Sequence, residues 1–307
     1  MSEKSNCWKC GETAVIYRKY EGKAWCAKHF LQQFESRVKE TVRKEELFKP
    51  DDKVCIALSG GMDSSALLYF MNKLLKDWRD SELFALAIDE GIKGYRNESL
   101  EMAKNLCDDL DVKLHIARFK EAFGRTLDEI MEDKVKACTY CGVFRRWLLN
   151  KRSRELGATK LATAHNLDDE LQSVFMNYLK GNMKRMIRLG AKPSIVEHPK
   201  FVPRVKPFRN IPEREITLYG RLGNLELHQT ECPYVEESLR FDVRDFLNRM
   251  EEKCPSTKYT ALRAFDKILP ALREEFETGE TPVKECEKCG ELTSRDVCKA
   301  CELLQKV

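Results

Sequence analysis

Short apolar runs alternate with amphipathic stretches through the middle of the chain. The runs are typical of β-strands and cover residues 53–59, 83–89, 112–118 and 159–164. Between them, the spacing of the apolar positions predicts helices over 64–77, 97–110 and 142–156. Such alternation is typical of an α/β fold with a doubly wound parallel sheet, in which ligands bind at the carboxyl ends of the strands.

The stretch "LSGGMDSS" lies between the first strand and the first helix. Its paired glycines allow a tight turn, and the helix that follows directs backbone N–H groups at one spot, as phosphate sites do. The spacing fits neither a Walker loop nor a dinucleotide fingerprint. An ordinary βα turn that needs glycine for its backbone angles is the plainer alternative. The motif resembles the PP-loop, SGGxDS, of ATP pyrophosphatases, which implies ATP binding by Leu58, Ser59, Gly60, Gly61, Asp63, Ser64 and Ser65.

Acidic and polar residues also follow other strands. Asp89 closes the second strand, and "HNLDDE" closes the fourth and opens a helix. Asp168 and Asp169 could hold Mg²⁺ beside ATP, act as acid or base groups, or only favour the helix dipole. His165 could bond to adenosine.

Composition adds limits to this picture. The 307 residues allow one medium catalytic domain with small appendages, and 42% hydrophobic residues suffice for a buried core. No apolar run approaches the roughly 18 residues of a membrane helix, and the N-terminus lacks a signal-peptide core. We therefore expect a cytoplasmic protein with no membrane partner. The net charge of +4 is a weak argument for a polyanionic partner.

Seven of the thirteen cysteines, together with His29, form two sets of paired knuckles near the two chain ends. In a cytoplasmic chain such pairs indicate metal or redox chemistry more often than disulfides. Each set of four predicts a tetrahedral structural zinc site. The sets are Cys7, Cys10, Cys26 and His29 at the N-terminal end, and Cys286, Cys289, Cys298 and Cys301 at the C-terminal end.

A third cysteine pair, Cys138 and Cys141, has no second knuckle nearby, whereas Cys232 lies in a turn with proline. Three cysteines around one site suit a [4Fe–4S] cluster with one open iron, or thiols that carry sulfur. A third zinc, with Cys254 or water as fourth ligand, is the alternative. The pair precedes a predicted helix, whose N-terminus is expected to lower thiol pKa values.

The segment from residue 180 to 209 is rich in lysine and arginine and has few acids. A solvated surface explains most charge runs, but the density here, with Phe201 and Phe208 interleaved, favours a surface that binds an RNA backbone. The candidates are Lys184, Arg185, Arg188, Arg204 and Lys206.

Six motifs in order, between the two knuckle sets, resemble the tRNA uridine 2-thiolation enzymes of the PP-loop superfamily. They are "LSGGMDSS", "AIDEGIKGYR", "CTYCGVFRR", "ATAHNLDDE", "VPRVKPF" and "ECPY". The branch that modifies the wobble uridine carries similar motifs, whereas the branch that modifies the T-loop uridine usually has lysine where Arg145 stands. Family members commonly have lysine where this chain has Met62, so Lys53 or an arginine is expected to supply that charge.

The resemblance implies a function for most of the chain. ATP would adenylate the C2 oxygen of uridine, with Mg²⁺ assisting, and sulfur would then displace AMP; the implied catalytic residues are Cys138, Cys141, Cys232, Asp63 and Asp169. The sulfur would bind the open iron after arriving on a ubiquitin-like carrier or as free sulfide. A persulfide on Cys141 or Cys232 is the competing route. A homodimer is a further expectation. A different PP-loop tRNA enzyme, such as a lysidine synthetase, and a non-enzymatic RNA-binding protein are the alternatives.

The same motifs predict four segments: a zinc module with a connecting helix (1–48), the PP-loop catalytic domain (49–212), a helical part that carries Cys232 (213–280) and a second zinc module (281–307).

Overall fold

The computed structural model describes residues 6–132, 137–192, 198–226, 232–234, 239–276 and 283–307. The strands within these ranges are β1 (Ile16–Arg18), β2 (Lys23–Trp25), β3 (Lys53–Ala57), β4 (Glu82–Asp89), β5 (Lys113–Arg118), β6 (Lys160–Ala162), β7 (Arg204–Val205), β8 (Lys284–Glu285) and β9 (Leu292–Thr293). The helices are α1 (Ala27–Lys44), α2 (Met62–Leu75), α3 (Arg96–Asp109), α4 (Phe119–Phe123), α5 (Leu127–Met131), α6 (Ala137–Glu155), α7 (Leu167–Leu179), α8 (Met183–Met186), α9 (Glu213–Leu222), α10 (Leu239–Lys253), α11 (Thr257–Phe276) and α12 (Lys299–Leu304).

A parallel sheet in the order β5-β4-β3-β6-β7 forms the centre of the protein. The chain builds outward from β3 to β5 and then returns to the other side of β3 with β6. The strand order therefore reverses between β3 and β6, which is where open α/β sheets bind ligands. The loops after these two strands contain the glycine turn and the "HNLDDE" motif.

The prediction of an α/β parallel sheet is confirmed, and each predicted strand and helix of the alternating region is present. The strand β7 escaped prediction because two residues at a sheet edge are too few for a periodic pattern. Helix α6 begins at Ala137, earlier than the predicted 142, so Cys138 and Cys141 lie inside its first turns.

Each face of the sheet is covered by helices and one cysteine-rich module. On one face Val54 and Ile56 of β3 pack with α1, α2, α9 and the N-terminal module. On the other face Phe84 and Leu86 of β4 pack with α6 and the C-terminal module. The ion pair between Arg154 Nη2 and Glu291 Oε1, at 2.5 Å, fastens the C-terminal module to α6.

A third apolar cluster joins α7 and α8 to the long helices α10 and α11, around Leu171, Leu247 and Phe265. These helices place side chains of the last third of the chain beside the loop that follows β6. No described helix is both long enough and apolar enough to cross a membrane.

Candidate active site

The Ser64 side chain holds the turn between β3 and α2 through two hydrogen bonds. The Ser64 hydroxyl accepts the backbone N–H of Ser59 at 3.0 Å and donates to the Gly61 carbonyl at 3.0 Å. Gly60 has a φ of +84°, and a Cβ there would lie 2.0 Å from the Ser99 carbonyl oxygen, so the position requires glycine. Gly61 caps α2 without a side chain. The first N–H groups of α2 therefore have no intrahelical acceptor and can bind a phosphate.

A buried arginine lies behind this turn. Arg96 Nη1 donates to the Ser59 carbonyl oxygen at 2.7 Å, and its Nε lies 3.0 Å from Glu90 Oε2. Lys53 stands at the opposite end of β3 and pairs with Glu82 at 2.7 Å. The expectation that Lys53 supplies charge to the loop is therefore wrong. Arg96 is the arginine that contacts the loop, and Glu90 balances its charge.

Glu90 also connects the turn to a cysteine. Its Oε1 lies 2.7 Å from Arg145 Nη2, and the same nitrogen donates to Cys141 Sγ at 3.3 Å. Glu90 is only 2% exposed. Removing one partner of a buried ion pair is destabilising by about 3–5 kcal/mol. The contacts from Ser59 through Arg96, Glu90 and Arg145 therefore connect the phosphate loop to the thiol. The Arg96–Glu90 pair is buried, whereas the Arg145 side chain is 46% exposed.

The structure brings Cys232 to the other two cysteines. Cys138 Sγ lies 3.4 Å from the carbonyl oxygen of Tyr234, and the Tyr234 hydroxyl donates to Asp128 Oδ1 at 2.7 Å. Burial raises the pKa of Cys232 and the nearby Cys138 adds to the rise, and Cys232 in turn adds to the raised pKa of Cys141. The three thiols thus converge at one end of the series of contacts that runs from Ser59 through Arg96, Glu90 and Arg145, here called the Glu90 link.

Burial raises the pKa of Cys141; Arg145 opposes this, and Glu90 and Cys232 add to it. This direction is opposite to the lowering that a helix N-terminus is expected to cause. Cys254 lies exposed at the turn between α10 and α11, and no contact within the described ranges joins it to the three thiols.

Several carboxylates surround the first turn of α2. Asp63 Oδ2 accepts from Asn166 Nδ2 at 2.9 Å, and Asn166 forms a capping box with Asp169 at the start of α7. Burial, followed by the nearby Glu213 and Asp169, raises the pKa of Asp63 to about 7. The sequence offered no signal for Glu213, which reaches this group from α9. Carboxylates that repel one another in this way suit a bound divalent cation.

Asp168 is oriented differently from Asp169. It is buried, pairs with the Lys258 ammonium of α11, and accepts the backbone N–H of Glu213 at 2.9 Å. Both interactions tie α7 to the last third of the chain. The structure therefore gives Asp168 a protein cation as its partner, whereas Asp169 lies at the rim, 3.3 Å from Arg240.

The remaining predicted ATP contacts lie at the carboxyl edge of the sheet. His165 is exposed after β6, and its Nδ1 is 2.9 Å from the Thr163 hydroxyl. Asp89, the last residue of β4, accepts the backbone N–H of Gly91 at 2.9 Å. Asp89 thus shapes the turn that carries Glu90.

The predicted RNA-binding residues divide into two groups. Lys184, Arg185 and Arg188 are exposed on and after α8. Arg204 is half-buried in β7, and Lys206 is buried and pairs with Glu170 Oε1 at 2.6 Å. Lys206 is therefore occupied by a protein carboxylate, and sequence alone could not reveal that partner.

Both knuckle sets converge. In each set of four, the ligand atoms all lie within 4.8 Å of one another. Cys10 and Cys26 sulfurs are 3.7 Å apart, and those of Cys289 and Cys298 are 3.6 Å apart. A tetrahedral zinc with Zn–S bonds of about 2.3 Å needs sulfurs about 3.8 Å apart. Among the described residues the three converging thiols do not form a third group as tight as these.

Comparisons with known proteins agree with this geometry. Residues 30–250 match the PP-loop domain, and residues 6–31 match the N-terminal LIM domain of the 2-thiouridine synthetase TtuA. The chain is 35% identical to the tRNA 2-thiolation protein NcsA of Haloferax volcanii, over 98% of both chains. It is 37% identical to cytoplasmic tRNA 2-thiolation protein 1 of Drosophila grimshawi, over 97% of this chain and 86% of that protein.

A solved structure is also similar over the full length. The U34-tRNA thiolase NcsA from Methanococcus maripaludis, with its [4Fe–4S] cluster, superimposes with a TM-score of 0.84 at 34% identity. The match covers 100% of this chain and 97% of that chain.

Proposed function

The chain belongs to the PP-loop family of tRNA 2-thiolation proteins, and we propose that it adenylates the C2 oxygen of a tRNA uridine and replaces that oxygen with sulfur. The observation that carries the proposal is the chain of contacts from Ser59 to Cys141, which joins a phosphate loop to three converging thiols. A non-enzymatic RNA-binding protein would need neither end of this link, and a lysidine synthetase would not need the thiols.

In the proposed first step, the uridine oxygen attacks the α-phosphorus of ATP and pyrophosphate leaves. The N–H groups at the start of α2 would bind the phosphates, and Arg96 would hold the loop in place through the Ser59 carbonyl oxygen. Met62, which stands where relatives commonly have lysine, packs against α9. A Cβ placed on Gly220 of α9 would lie only 2.3 Å from the Met62 sulfur.

We assign the Mg²⁺ of this step to Asp63 and Asp169. The fit rests on the burial of Asp63 and its repulsion by Glu213 and Asp169, which raise the pKa of Asp63 and which a bound cation would offset. When bound, Mg²⁺ would stabilise the charge that develops on the phosphates. Asp168 would support the site from behind by holding Lys258 and the start of α9.

In the proposed second step, sulfur attacks C2 of the adenylated uridine, the C2–S bond forms, and AMP leaves with the oxygen. Cys138, Cys141 and Cys232 would hold a [4Fe–4S] cluster. Their wider spacing suits ligands to separate irons better than the single tetrahedral ion of the knuckle sets. When bound, the cluster supplies an open iron for sulfide. A ubiquitin-like carrier or free sulfide is the proposed donor to the open iron. The alternative, a persulfide on Cys141 or Cys232, would need a donor of sulfane sulfur, because sulfide cannot form a persulfide without an oxidant.

The wobble uridine is the proposed target, because Arg145 occupies the position where T-loop enzymes usually have lysine. We expect anaerobically prepared protein with ATP and sulfide to form 2-thiouridine in unmodified tRNA. Replacing the wobble uridine by cytidine should remove the product, whereas replacing the T-loop uridine should not. Mass spectrometry of the nucleosides measures both. Absence of 2-thiouridine in the unsubstituted tRNA would contradict the function. Loss of product only when the T-loop uridine is replaced would move the target to the T-loop.

We further propose one structural zinc in each knuckle set. Metal analysis after removal of iron should find about two zincs per chain. Replacing Cys286 by serine should lower the content to about one, whereas Cys254→Ser, which alters an exposed cysteine outside both sets, should leave it at two. A content near zero in folded wild-type protein would refute the assignment.

A further inference from the structure

Three arginines that lie near one another come from three elements, and one of them, Arg146, is also near Cys141. Arg146 follows Arg145 on α6, Arg185 lies on α8, and Arg204 lies on β7. Arg204 Nη2 donates to the carbonyl oxygen of Arg146 at 3.2 Å. Within the described ranges, no carboxylate forms an ion pair with any of the three.

Two buried cations near β7 are paired with a carboxylate. Lys206 and Arg209 share the carboxylate of Glu170, at 2.6 and 3.1 Å. Arg145, the neighbour of Arg146, pairs with Glu90 at 2.7 Å. The three arginines differ from these cations, and the exposed Lys184 and Arg188 beside Arg185 also have no ion pair within the described ranges.

The arrangement is unfavourable without a counter-charge. Burial and then Arg146 lower the pKa of Arg204 to about 10, and burial and then Arg185 lower the pKa of Arg146. The buried Nε of Arg204 also lacks a hydrogen-bond partner. Guanidinium groups bind phosphate in a bidentate manner, so a phosphate would relieve both problems.

The position of the group distinguishes between sources of phosphate. β7 is separated from β3 by β6, which places the two strands about 10 Å apart. The phosphates of ATP belong at the end of β3, where the loop binds them. A Cβ on Gly142, the residue after Cys141, would lie 3.4 Å from Arg146 Nη1. The guanidinium therefore lies over α6 directly beside the thiols.

We propose that Arg146, Arg185 and Arg204 bind a backbone phosphodiester next to the target uridine. This inference rests on the proposed function and adds to it the contact that sets the position of the RNA. Phosphate contacts fix register without reading bases, so the group holds the strand while the base enters the site between the loop and the thiols.

The test compares Arg146→Gln with Arg152→Gln in the intact protein. Both residues are on α6, but Arg152 pairs with Glu155 at 2.5 Å away from the group. Binding of tRNA is measured by fluorescence anisotropy across a salt series. We expect Arg146→Gln to weaken binding by about tenfold at low salt and to reduce the salt slope by about one. Arg152→Gln should leave both values near wild type.

A second measurement locates the phosphate. In a tRNA with a neutral methylphosphonate linkage next to the target uridine, wild-type binding should weaken by a similar factor, and Arg146→Gln should show no further loss. Additive losses would overturn the proposal, as would an unchanged salt slope in the variant. A loss of ATP affinity with normal tRNA binding would assign the group to the nucleotide instead. If wild-type protein does not bind tRNA at all, the proposed function falls and this inference falls with it.

Discussion

Replacing Cys232 by serine is expected to abolish 2-thiouridine formation and to leave ATP binding near the wild-type level. Serine keeps the size of the side chain but cannot provide a thiolate at neutral pH, and only the thiolate binds iron or carries sulfur. Cys232 lies with Cys138 and Cys141 at the thiol end of the Glu90 link, whereas the ATP loop lies at the other end. The two activities should therefore separate.

Three measurements on anaerobically prepared protein check this result: nucleoside mass spectrometry for the product, iron and acid-labile sulfide for the cluster, and ATP affinity for the loop. Cys138→Ser and Cys141→Ser should behave as Cys232→Ser does. Cys254→Ser is the matched control, because Cys254 is exposed and distant from the link along the chain, and it should thiolate normally. Normal thiolation by Cys232→Ser would remove the three-cysteine site from the mechanism.

Replacing Asp63 by alanine should abolish uridine-dependent pyrophosphate release while the fold and both zincs are retained. Asp63 is the carboxylate of the first turn of α2, and it bonds Asn166 at the start of α7. This hydrogen bond therefore joins the loop after β3 to the loop after β6, where the strand order reverses. Loss of one electrostatic group that acts in the transition state lowers kcat by about 10²–10³-fold, and loss of a magnesium ligand adds to this.

Asp63→Asn separates charge from positioning. Its amide oxygen can still accept from Asn166, but it cannot balance Mg²⁺. We expect Asp63→Asn to lose pyrophosphate release almost as fully as Asp63→Ala, with thermal stability near wild type for both. Full activity of Asp63→Asn would show that the residue only positions Asn166, and full activity of Asp63→Ala would remove the adenylation proposal.

The sequence by itself was sufficient for features encoded over short distances. Alternating apolar periodicity predicted the strands and helices of the sheet, because side-chain period follows directly from backbone geometry. The turn at Gly60 and Gly61 and the two knuckle sets were predictable for the same reason. Each depends on residues that are close in the chain, so their spacing fixes their geometry.

Only the tertiary structure decided which distant side chains meet. Arg96 behind the loop, Glu213 beside Asp63, and the pairing of Lys206 with Glu170 each join separate elements, and no local pattern specifies such a pair. Asp168 illustrates the consequence: its motif suggested a metal ligand, yet packing of α11 against α7 brings Lys258 to it. A charged side chain acquires its role from the partner that folding supplies, because burial makes an unpaired charge unfavourable and a paired one stable.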